Sequence, residues 1–257
     1  MICDLSYYQG NVDFKKLSKK ADFVILRASI ETRKDTKYDE YAGYCEQYGI
    51  PYHAYHYLKA PNDAKARMEA KIFAQATKEH RPLFYVIDCE YKSIKMGAAK
   101  KIVDAFEAAL RHYISDDIKV AVYIAHELYR QWNLDYEHYA YTWIPRYGKN
   151  NGSIGGSTKP NYPCDLWQYT STGRIDGVKG NVDLNVLNGD KPLEFFTGTY
   201  GGNGMKDELE LELELEREGD APEGWVSEVV YVRNEKGELV EVEVPDDTEE
   251  LVLDEGN

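Results

Sequence analysis

Residues 83–91 read LFYVIDCEY, a short apolar run that ends in two acids. The run from Leu83 to Ile87 is rich in aromatic and β-branched residues and is too short for a core helix, so it predicts a buried strand. Asp88 and Glu90, at i and i+2, would project from the same face with their Cα atoms roughly 6.6 Å apart. Two like charges are costly to bury unless one is protonated or both face a wet cleft. This stretch therefore predicts a strand that ends in a candidate acid–base pair.

Similar apolar runs lie on either side of this strand. Phe23–Ala28 and Val120–Ile124 also predict buried strands. Asn62–Thr77 and Gly97–Tyr113 place apolar residues at helical spacing, and Asn62 or Asp63 can cap the first of these helices. Short apolar runs that alternate with longer amphipathic ones are typical of βα units. Residues 1 to about 190 therefore predict parallel strands wrapped by helices, as an α/β barrel or a doubly wound sheet.

The composition changes after Tyr147, where Gly, Ser, Asn and Pro become frequent. Asp165–Thr170 and Asn181–Leu187 are strand-like, so we expect the last third of this region to be β-rich. The glycine-rich segment 197–205 is then interpreted as a flexible linker. It separates a main domain, residues 1–196, from an acidic C-terminal module, residues 206–257.

The C-terminal module predicts a small antiparallel sheet. In Asp207–Arg217, Glu and Leu alternate strictly, which places four leucines on one face of a strand; helix is the competing interpretation. Trp225–Arg233 and Leu239–Val244 alternate too, with a hairpin turn predicted at 234–237 between them. Leu251–Leu253 is a candidate fourth strand.

The charge of the chain is concentrated in this module. The 257 residues carry a formal net charge of −14, yet residues 206–257 contain 4 Lys or Arg and 20 Asp or Glu, which leaves 27 and 25 for residues 1–205. A nearly neutral main domain lacks the clustered basic face that nucleic-acid binding requires. No apolar stretch approaches the ~20 residues of a membrane span, and Met1-Ile2-Cys3-Asp4 begins no secretory signal. We expect neither nucleic acid nor membrane as partner, and accumulation in the cytoplasm until release.

Motifs for metals, phosphates and activated nucleophiles are not evident. His53 and His56 flank a dipeptide and have no third ligand at metal spacing. The sequence contains no G-x-S-x-G elbow and no glycine-rich phosphate loop. We expect no metal site and no cofactor, which leaves carboxylate acid–base chemistry. Four cysteines without zinc-site spacing are expected to be buried free thiols: Cys3, Cys45, Cys89 and Cys164.

Two further acids, Asp4 and Asp183, occupy comparable positions, the first after the opening strand residues and the second within Asn181–Leu187. Aromatic residues accompany these acids, and rings with polar edges beside carboxylates suit sugars, whose C–H faces stack on them. Strand-end capping and core packing are the alternative interpretations for individual residues. We expect many of the rings to lie on loops that follow strands: Tyr55, Tyr57, Tyr123, Trp143, Tyr147, Trp167 and Tyr169.

A set of segments occurs in a characteristic order along the chain: 4–6, 8–10, 23–28, 55–57, 86–90, 122–123, 143–148, 166–170 and 177–185. Taken in order, these segments resemble glycoside hydrolase family 25, the Chalaropsis-type lysozyme family of bacteriophage endolysins and bacterial autolysins. The resemblance implies a flattened TIM-like (β/α)5β3 barrel with its site at the carboxyl ends of the strands. It also implies an N-acetylmuramidase that cuts the β-1,4 bond between N-acetylmuramic acid and N-acetylglucosamine in peptidoglycan.

The resemblance also implies roles by position. Glu90 matches the general acid/base and Asp88 its partner, while Asp4 and Asp183 match further acids of the cleft. Retention of configuration is implied, assisted by the 2-acetamido group of the substrate and oriented by Asp88. Gln9 and Arg27 match positions nearer the barrel wall. The predicted substrate-binding residues are Tyr57, Tyr123, Trp143, Tyr147, Trp167 and Gln168.

Two questions stay open from the sequence. A catalytically inactive sugar-binding module that keeps the aromatic cleft is the alternative to an enzyme. The tail resembles no wall-binding repeat, so wall anchoring, self-association and an appended module are its possible roles. Self-association is the role we expect, because a small sheet with one leucine-rich face needs a partner surface.

Overall fold

The computed structural model describes residues 1–115 and 117–198, together with the backbone of residues 229–233 and 239–243. The chain divides into two compact units, Met1–Lys206 and Asp207–Asn257. In the described part of the chain, no helix is both long enough and apolar enough to span a membrane.

A closed barrel of eight strands forms the first unit, with one short hairpin strand, β3, at its edge. The strands are β1 (Ile2–Leu5), β2 (Phe23–Ile30), β3 (Arg33–Lys34), β4 (Tyr52–Tyr57), β5 (Phe84–Cys89), β6 (Lys119–Ile124), β7 (Thr142–Pro145), β8 (Leu166–Gly173) and β9 (Val182–Leu187). The helices are α1 (Phe14–Leu17), α2 (Tyr38–Tyr48), α3 (Asp63–Thr77), α4 (Met96–Tyr113), α5 (Tyr129–Trp132) and α6 (Leu193–Thr197), with 3-10 turns at Tyr7–Gln9 and Ile154–Gly156.

The strand order explains how the barrel closes. From β1 through β8 the barrel strands run parallel to one another in chain order. Strand β9 is antiparallel to both β8 and β1 and fills the gap between them. The predicted α/β barrel is thus confirmed, and the doubly wound alternative is wrong because β1 also pairs with β2.

Two apolar layers follow from the alternation of side chains along each strand. On β2, Phe23 and Ile25 point into the barrel interior, whereas Val24 and Leu26 point into the layer between strands and helices. Strands that are buried on both faces have nearly continuous apolar sequences, which is why short apolar runs predicted them. The cap of α3 is also as predicted: the Asn62 side chain accepts a hydrogen bond from the Lys65 amide at 3.0 Å.

The amino ends of the strands form the floor of the barrel, defined here by Phe23, His53, Phe84, Tyr141 and Phe196. Helix α6 inserts the fully buried Phe196 there, stacked on Phe23 with ring centroids 5.6 Å apart. The His53 Nε2–H donates to the Phe196 carbonyl and Nδ1 accepts from the Tyr141 hydroxyl, both at 2.9 Å. Burial lowers the pKa of His53 to about 3, so this ring is neutral.

In the second unit, β10 (Val229–Arg233) pairs antiparallel with β11 (Leu239–Glu243), as predicted for this part of the tail. The predicted strands at 207–217 and 251–253, the turn at 234–237 and nearly all of the linker lie outside the described residues. All four cysteines belong to the first unit and are buried free thiols, which confirms that prediction.

Candidate active site

The four predicted acids meet where the carboxyl ends of β1 and β5 lie beside the amino end of the antiparallel strand β9. This region is called here the mouth and is defined by Asp4, Asp88, Glu90 and Asp183. Asp4 and Asp183 lie opposite each other in the register of β1 and β9. The charge of Asp4 raises the pKa of the other three acids, as expected for carboxyls that lie near one another. Tertiary structure thus joins residues that are up to 179 positions apart in the sequence.

Asp88 is the more deeply buried member of the pair on β5. Burial raises its pKa well above the usual value, the charges of Glu90 and Asp4 raise it further, and Arg27 opposes the shift. Its Oδ1 is buried and has no hydrogen-bond partner among the described residues. The hydrogen-bonding capacity of this oxygen is therefore left unused by the described residues.

Glu90 follows directly after β5 and is partly exposed to the cleft. Burial is the largest cause that raises its pKa, and a hydrogen bond from the Tyr123 hydroxyl to Oε2, at 3.3 Å, opposes this shift. The charges of Asp4 and Glu127 raise the pKa as well, whereas Lys92 lowers it. A carboxyl with a raised pKa keeps its proton to a higher pH than a free carboxyl does and can deliver it to a bound ligand.

Asp4 and Asp183 behave as a hydrogen-bonded pair of carboxyls. Burial, the charge of Asp4 and a hydrogen bond to Asp4 together raise the pKa of Asp183 to about 9. Asp4 accepts two amide hydrogen bonds at Oδ2, from Gln168 at 3.0 Å and from Asn185 at 2.9 Å. Burial raises the pKa of Asp4 as well, but these two donors and the hydrogen bond from Asp183 oppose that shift, which makes Asp183 the member of the pair that carries the shared proton.

A network of neutral side chains holds this arrangement. The Gln168 Oε1 accepts from the Tyr147 hydroxyl at 2.6 Å and from the Tyr123 hydroxyl at 3.2 Å, while its Nε2 donates to Asp4. The Asn185 Oδ1 accepts from the Trp143 indole at 2.8 Å. Because Tyr123 also reaches Glu90, the network connects the acid pair on β5 with the pair on β1 and β9.

The predicted aromatic residues are placed differently from our expectation. We expected them on loops after strands; this is wrong for all but Tyr147, because the others belong to β4, β6, β7 and β8. Tyr123 and Trp143 face the barrel interior with centroids 4.6 Å apart, and Trp143 is only 2% exposed. Tyr57 is partly buried, and its pKa is raised by burial and then by the charges of Glu90 and Asp88, which places it at the mouth.

Trp167 and Tyr169 are not brought to the acids. They lie on the face of β8 opposite to Gln168, packed in the layer between strands and helices. The Trp167 indole donates to the Arg146 carbonyl at 2.9 Å. His53 and His56 also point to opposite faces of β4, where His56 bonds Ser29 at 2.8 Å and Glu69 at 2.9 Å.

Asn185 is the residue of the network that the sequence analysis missed. It is 3% exposed and supplies one of the two amide donors to Asp4. Its spacing from Asp183, at i and i+2 of β9, repeats the spacing of Asp88 and Glu90 on β5. The same argument about strand faces that selected the first pair was therefore available for this one.

Comparison with known families identifies the barrel. The sequence model of the glycosyl hydrolases family 25 matches residues 3–178, which include Asp4 and the Asp88–Glu90 pair. This chain belongs to glycosyl hydrolase family 25. Lysozyme M1 of Streptomyces globisporus is 26% identical over 207 residues, which cover 72% of this chain and 67% of that relative.

Solved structures show the same barrel. The catalytic domain of endolysin ply40 from bacteriophage P40 of Listeria monocytogenes gives a TM-score of 0.67 at 30% identity, covering 73% of this chain and 92% of the other. The spore cortex lytic enzyme SleM of Clostridium perfringens gives 0.60 at 26% identity, covering 71% and 65%. The predicted family, the (β/α)5β3 barrel and a glycosidase of the lysozyme type are confirmed.

Proposed function

We propose that this family 25 glycosidase cleaves the β-1,4 bond between N-acetylmuramic acid and N-acetylglucosamine in bacterial peptidoglycan, with Glu90 as general acid/base. The observation that carries the proposal is the pair on β5: Asp88 and Glu90 lie in one cleft, and burial raises the pKa of both carboxyls. A lysozyme and a phage endolysin domain among its relatives support peptidoglycan as the substrate and the cell wall as the place of action.

Glu90 would donate its proton to the glycosidic oxygen as the bond to the leaving sugar breaks. The Tyr123 hydroxyl has one proton and two acceptors, Glu90 Oε2 at 3.3 Å and Gln168 Oε1 at 3.2 Å. Tyr147 already donates to Gln168 at 2.6 Å. Tyr123 can therefore turn its proton toward Glu90 once that carboxyl has lost its own, which stabilises the carboxylate.

Asp88 would accept the acetamido N–H of the substrate at Oδ1, the buried atom without a partner among the described residues. A donated hydrogen bond favours the ionised form of a carboxyl. Substrate binding would thus move the proton retained by the pair from Asp88 to Glu90, where it is needed. The acetamido oxygen then attacks the anomeric carbon, and Glu90 later takes a proton from the water that opens this intermediate, with net retention.

Asp4 and Asp183 would supply negative charge without further proton transfer. The donors Gln168 and Asn185 would keep Asp4 ionised against the effect of its burial, and Asp183 would keep its proton. A fixed carboxylate near the anomeric centre stabilises the positive charge that develops as the bond breaks. The rings of Tyr57 and Tyr147 at the mouth are the proposed contacts for the sugar.

The tail would act in assembly and not in catalysis. Its alternating Glu and Leu residues predict a leucine-rich face, and its excess of acids disfavours contact with anionic wall polymers at low salt. Self-association through the tail is therefore preferred over wall anchoring. Accumulation in the cytoplasm before release stays a prediction.

Analysis of the products of digested cell walls tests the activity. New reducing ends of muramic acid are expected, and the anomer released first, followed by NMR, should have the configuration of the substrate. Intact walls that still retain the protein would instead identify a binding module. New reducing ends of glucosamine alone would contradict the assignment of the bond.

A further inference from the structure

Two exposed aromatic rings stand beside the mouth and have no part in the mechanism above. Tyr7 and Tyr8 form the 3-10 turn that follows β1, immediately beyond Asp4. Their side chains are 44% and 73% exposed, and their ring centroids lie 4.1 Å apart. Adjacent large rings that stay exposed contribute little to the core, so their position calls for another explanation.

A buried arginine holds this ring pair in place. The Arg27 guanidinium carbon lies 4.9 Å from the Tyr7 ring centroid and 5.4 Å from that of Tyr8. Arg27 is only 8% exposed, and its Nε donates to Asp35 at 2.8 Å. Asp35 also accepts from the Tyr7 amide at 3.2 Å, so backbone and rings are fixed by the same ion pair.

The turn itself is closed by its own side chains. The Ser6 amide donates to the Gln9 Oε1 at 2.8 Å, while the Ser6 hydroxyl caps the turn at Tyr8. Burying an arginine is costly, and here its Nη2 has no hydrogen-bond partner among the described residues. The fold thus holds a buried ion pair, Arg27 with Asp35, at the point where two exposed rings are fixed.

We infer that Tyr7 and Tyr8 form a stacking platform for a further sugar ring of the glycan strand, beyond the two sugars joined by the cleaved bond. The inference rests on the proposed function. The anchor of the platform borders the cleft, because Arg27 lies opposite Tyr55 in the register of β2 and β4, two residues before Tyr57. The charge of Arg27 also lowers the pKa of Asp88. A pyranose ring offers C–H faces to aromatic rings and hydroxyls to the tyrosine edges, which suits a polymer that extends out of the mouth.

A second exposed tyrosine pair provides a matched control. Tyr44 and Tyr48 on α2 are 39% and 36% exposed, with centroids 6.3 Å apart. Tyr44 stacks on the buried Phe14 at 5.4 Å, and within the described residues no cation lies over either ring. This pair resembles the platform in composition but lies on a helix outside the barrel interior.

The test compares substrates of two lengths in three proteins: the wild type, the double variant Tyr7→Ala/Tyr8→Ala, and Tyr48→Ala. Loss of stacking should raise KM of the double variant for long glycan strands by about tenfold, with a clearly smaller rise for the disaccharide that contains only the two sugars joined by the cleaved bond. The Tyr48→Ala protein should match the wild type on both. Melting curves of the variants confirm that each is folded.

Two results would overturn the platform: a double variant that matches Tyr48→Ala on long strands, or equal losses on long and short substrates. Retention on insoluble peptidoglycan is measured in parallel and should fall in the double variant. If the wild type yields no muramic acid ends, the proposed function fails, and the retention measurement still decides whether the platform binds glycan.

Discussion

The mouth and the floor of the barrel bury ionisable groups in the same interior, with opposite results. At the floor, burial lowers the pKa of His53 to about 3; at the mouth, it raises the pKa of Asp183 to about 9. Loss of hydration disfavours a charge of either sign, so one cause moves a base down and an acid up. The ends differ in their partners: both nitrogens of His53 are bonded, whereas Asp88 keeps an unpartnered oxygen among the described residues.

This difference indicates that the floor contributes to stability and the mouth to chemistry. A neutral, fully bonded His53 fixes helix α6 and has no atom left for a ligand. The four carboxyls at the mouth repel one another and receive few hydrogen bonds, which raises their pKa values. They therefore keep protons and negative charge that a bound substrate can use. Functional sites are often less stable than the rest of a fold for this reason.

The largest expected effect is on the rate at the mouth. Glu90→Gln keeps the volume and hydrogen bonding of the side chain but cannot donate a proton, so turnover on cell walls should fall by ~10² to 10⁴. The control is Asp63→Asn, on the first turn of α3, where the carboxyl pairs with the exposed Lys101. Wild-type turnover in a folded Glu90→Gln protein would remove Glu90 from the mechanism.

At the floor, by contrast, a substitution should lower the stability of the protein and leave its turnover rate unchanged. Phe196→Ala removes a fully buried ring and should lower the free energy of unfolding by about 3–5 kcal/mol, measured by urea denaturation. Phe196→Leu, which fills most of the space, should cost less than about 1.5 kcal/mol. Turnover per folded molecule should stay near that of the wild type, and its selective loss would show that the floor contributes to the site.

The pH dependence of stability should distinguish the two ends. The raised pKa of Asp183 contributes stability that is complete below pH ~3.9 and is lost as the pH rises toward about 9. The lowered pKa of His53 contributes stability that is complete above pH ~6.5 and is lost as the pH falls toward about 3. Of these two groups, therefore, Asp183 is the one that changes the free energy of unfolding with pH above pH ~6.5.

Asp183→Asn should remove this dependence of stability on pH, because an amide can donate to Asp4 at any pH. The variant should melt above the wild type at pH 8, by about 2–4 °C for each kcal/mol gained, and the difference should vanish near pH 4. Calorimetry across this range is the measurement. A difference that is equal at both pH values would show that Asp183 is not protonated in the folded protein.

The smallest expected effect on turnover comes from removing the tail. A chain that ends at Gly204 keeps the described barrel, including α6, so its turnover on soluble wall fragments should equal that of the full chain. Its mass by light scattering should fall to that of a monomer if the tail mediates self-association. Lost turnover would contradict separability, and a full chain that is already monomeric would contradict the assembly role.

Local patterns determined much of the fold before the structure was known. The period of two along a strand placed Asp88 and Glu90 on one face, and the cap at Asn62 fixed the start of α3. These features depend on residues a few positions apart, and their periodicity or capping chemistry is set by backbone geometry alone. The same geometry could have selected Asn185 from its spacing to Asp183.

Closure of the barrel decided the features that depend on residues far apart in the sequence. Only the pairing of β9 with β1 brings Asp183 to Asp4, and only the choice of inner and outer faces separates Gln168, at the acids, from Trp167, in the outer layer. Alternation along a strand indicates that two faces exist but not which one lines the interior when both are apolar. Proton sharing among the acids depends on burial and distance across strands, which arise when the barrel closes and have no local signature in the sequence.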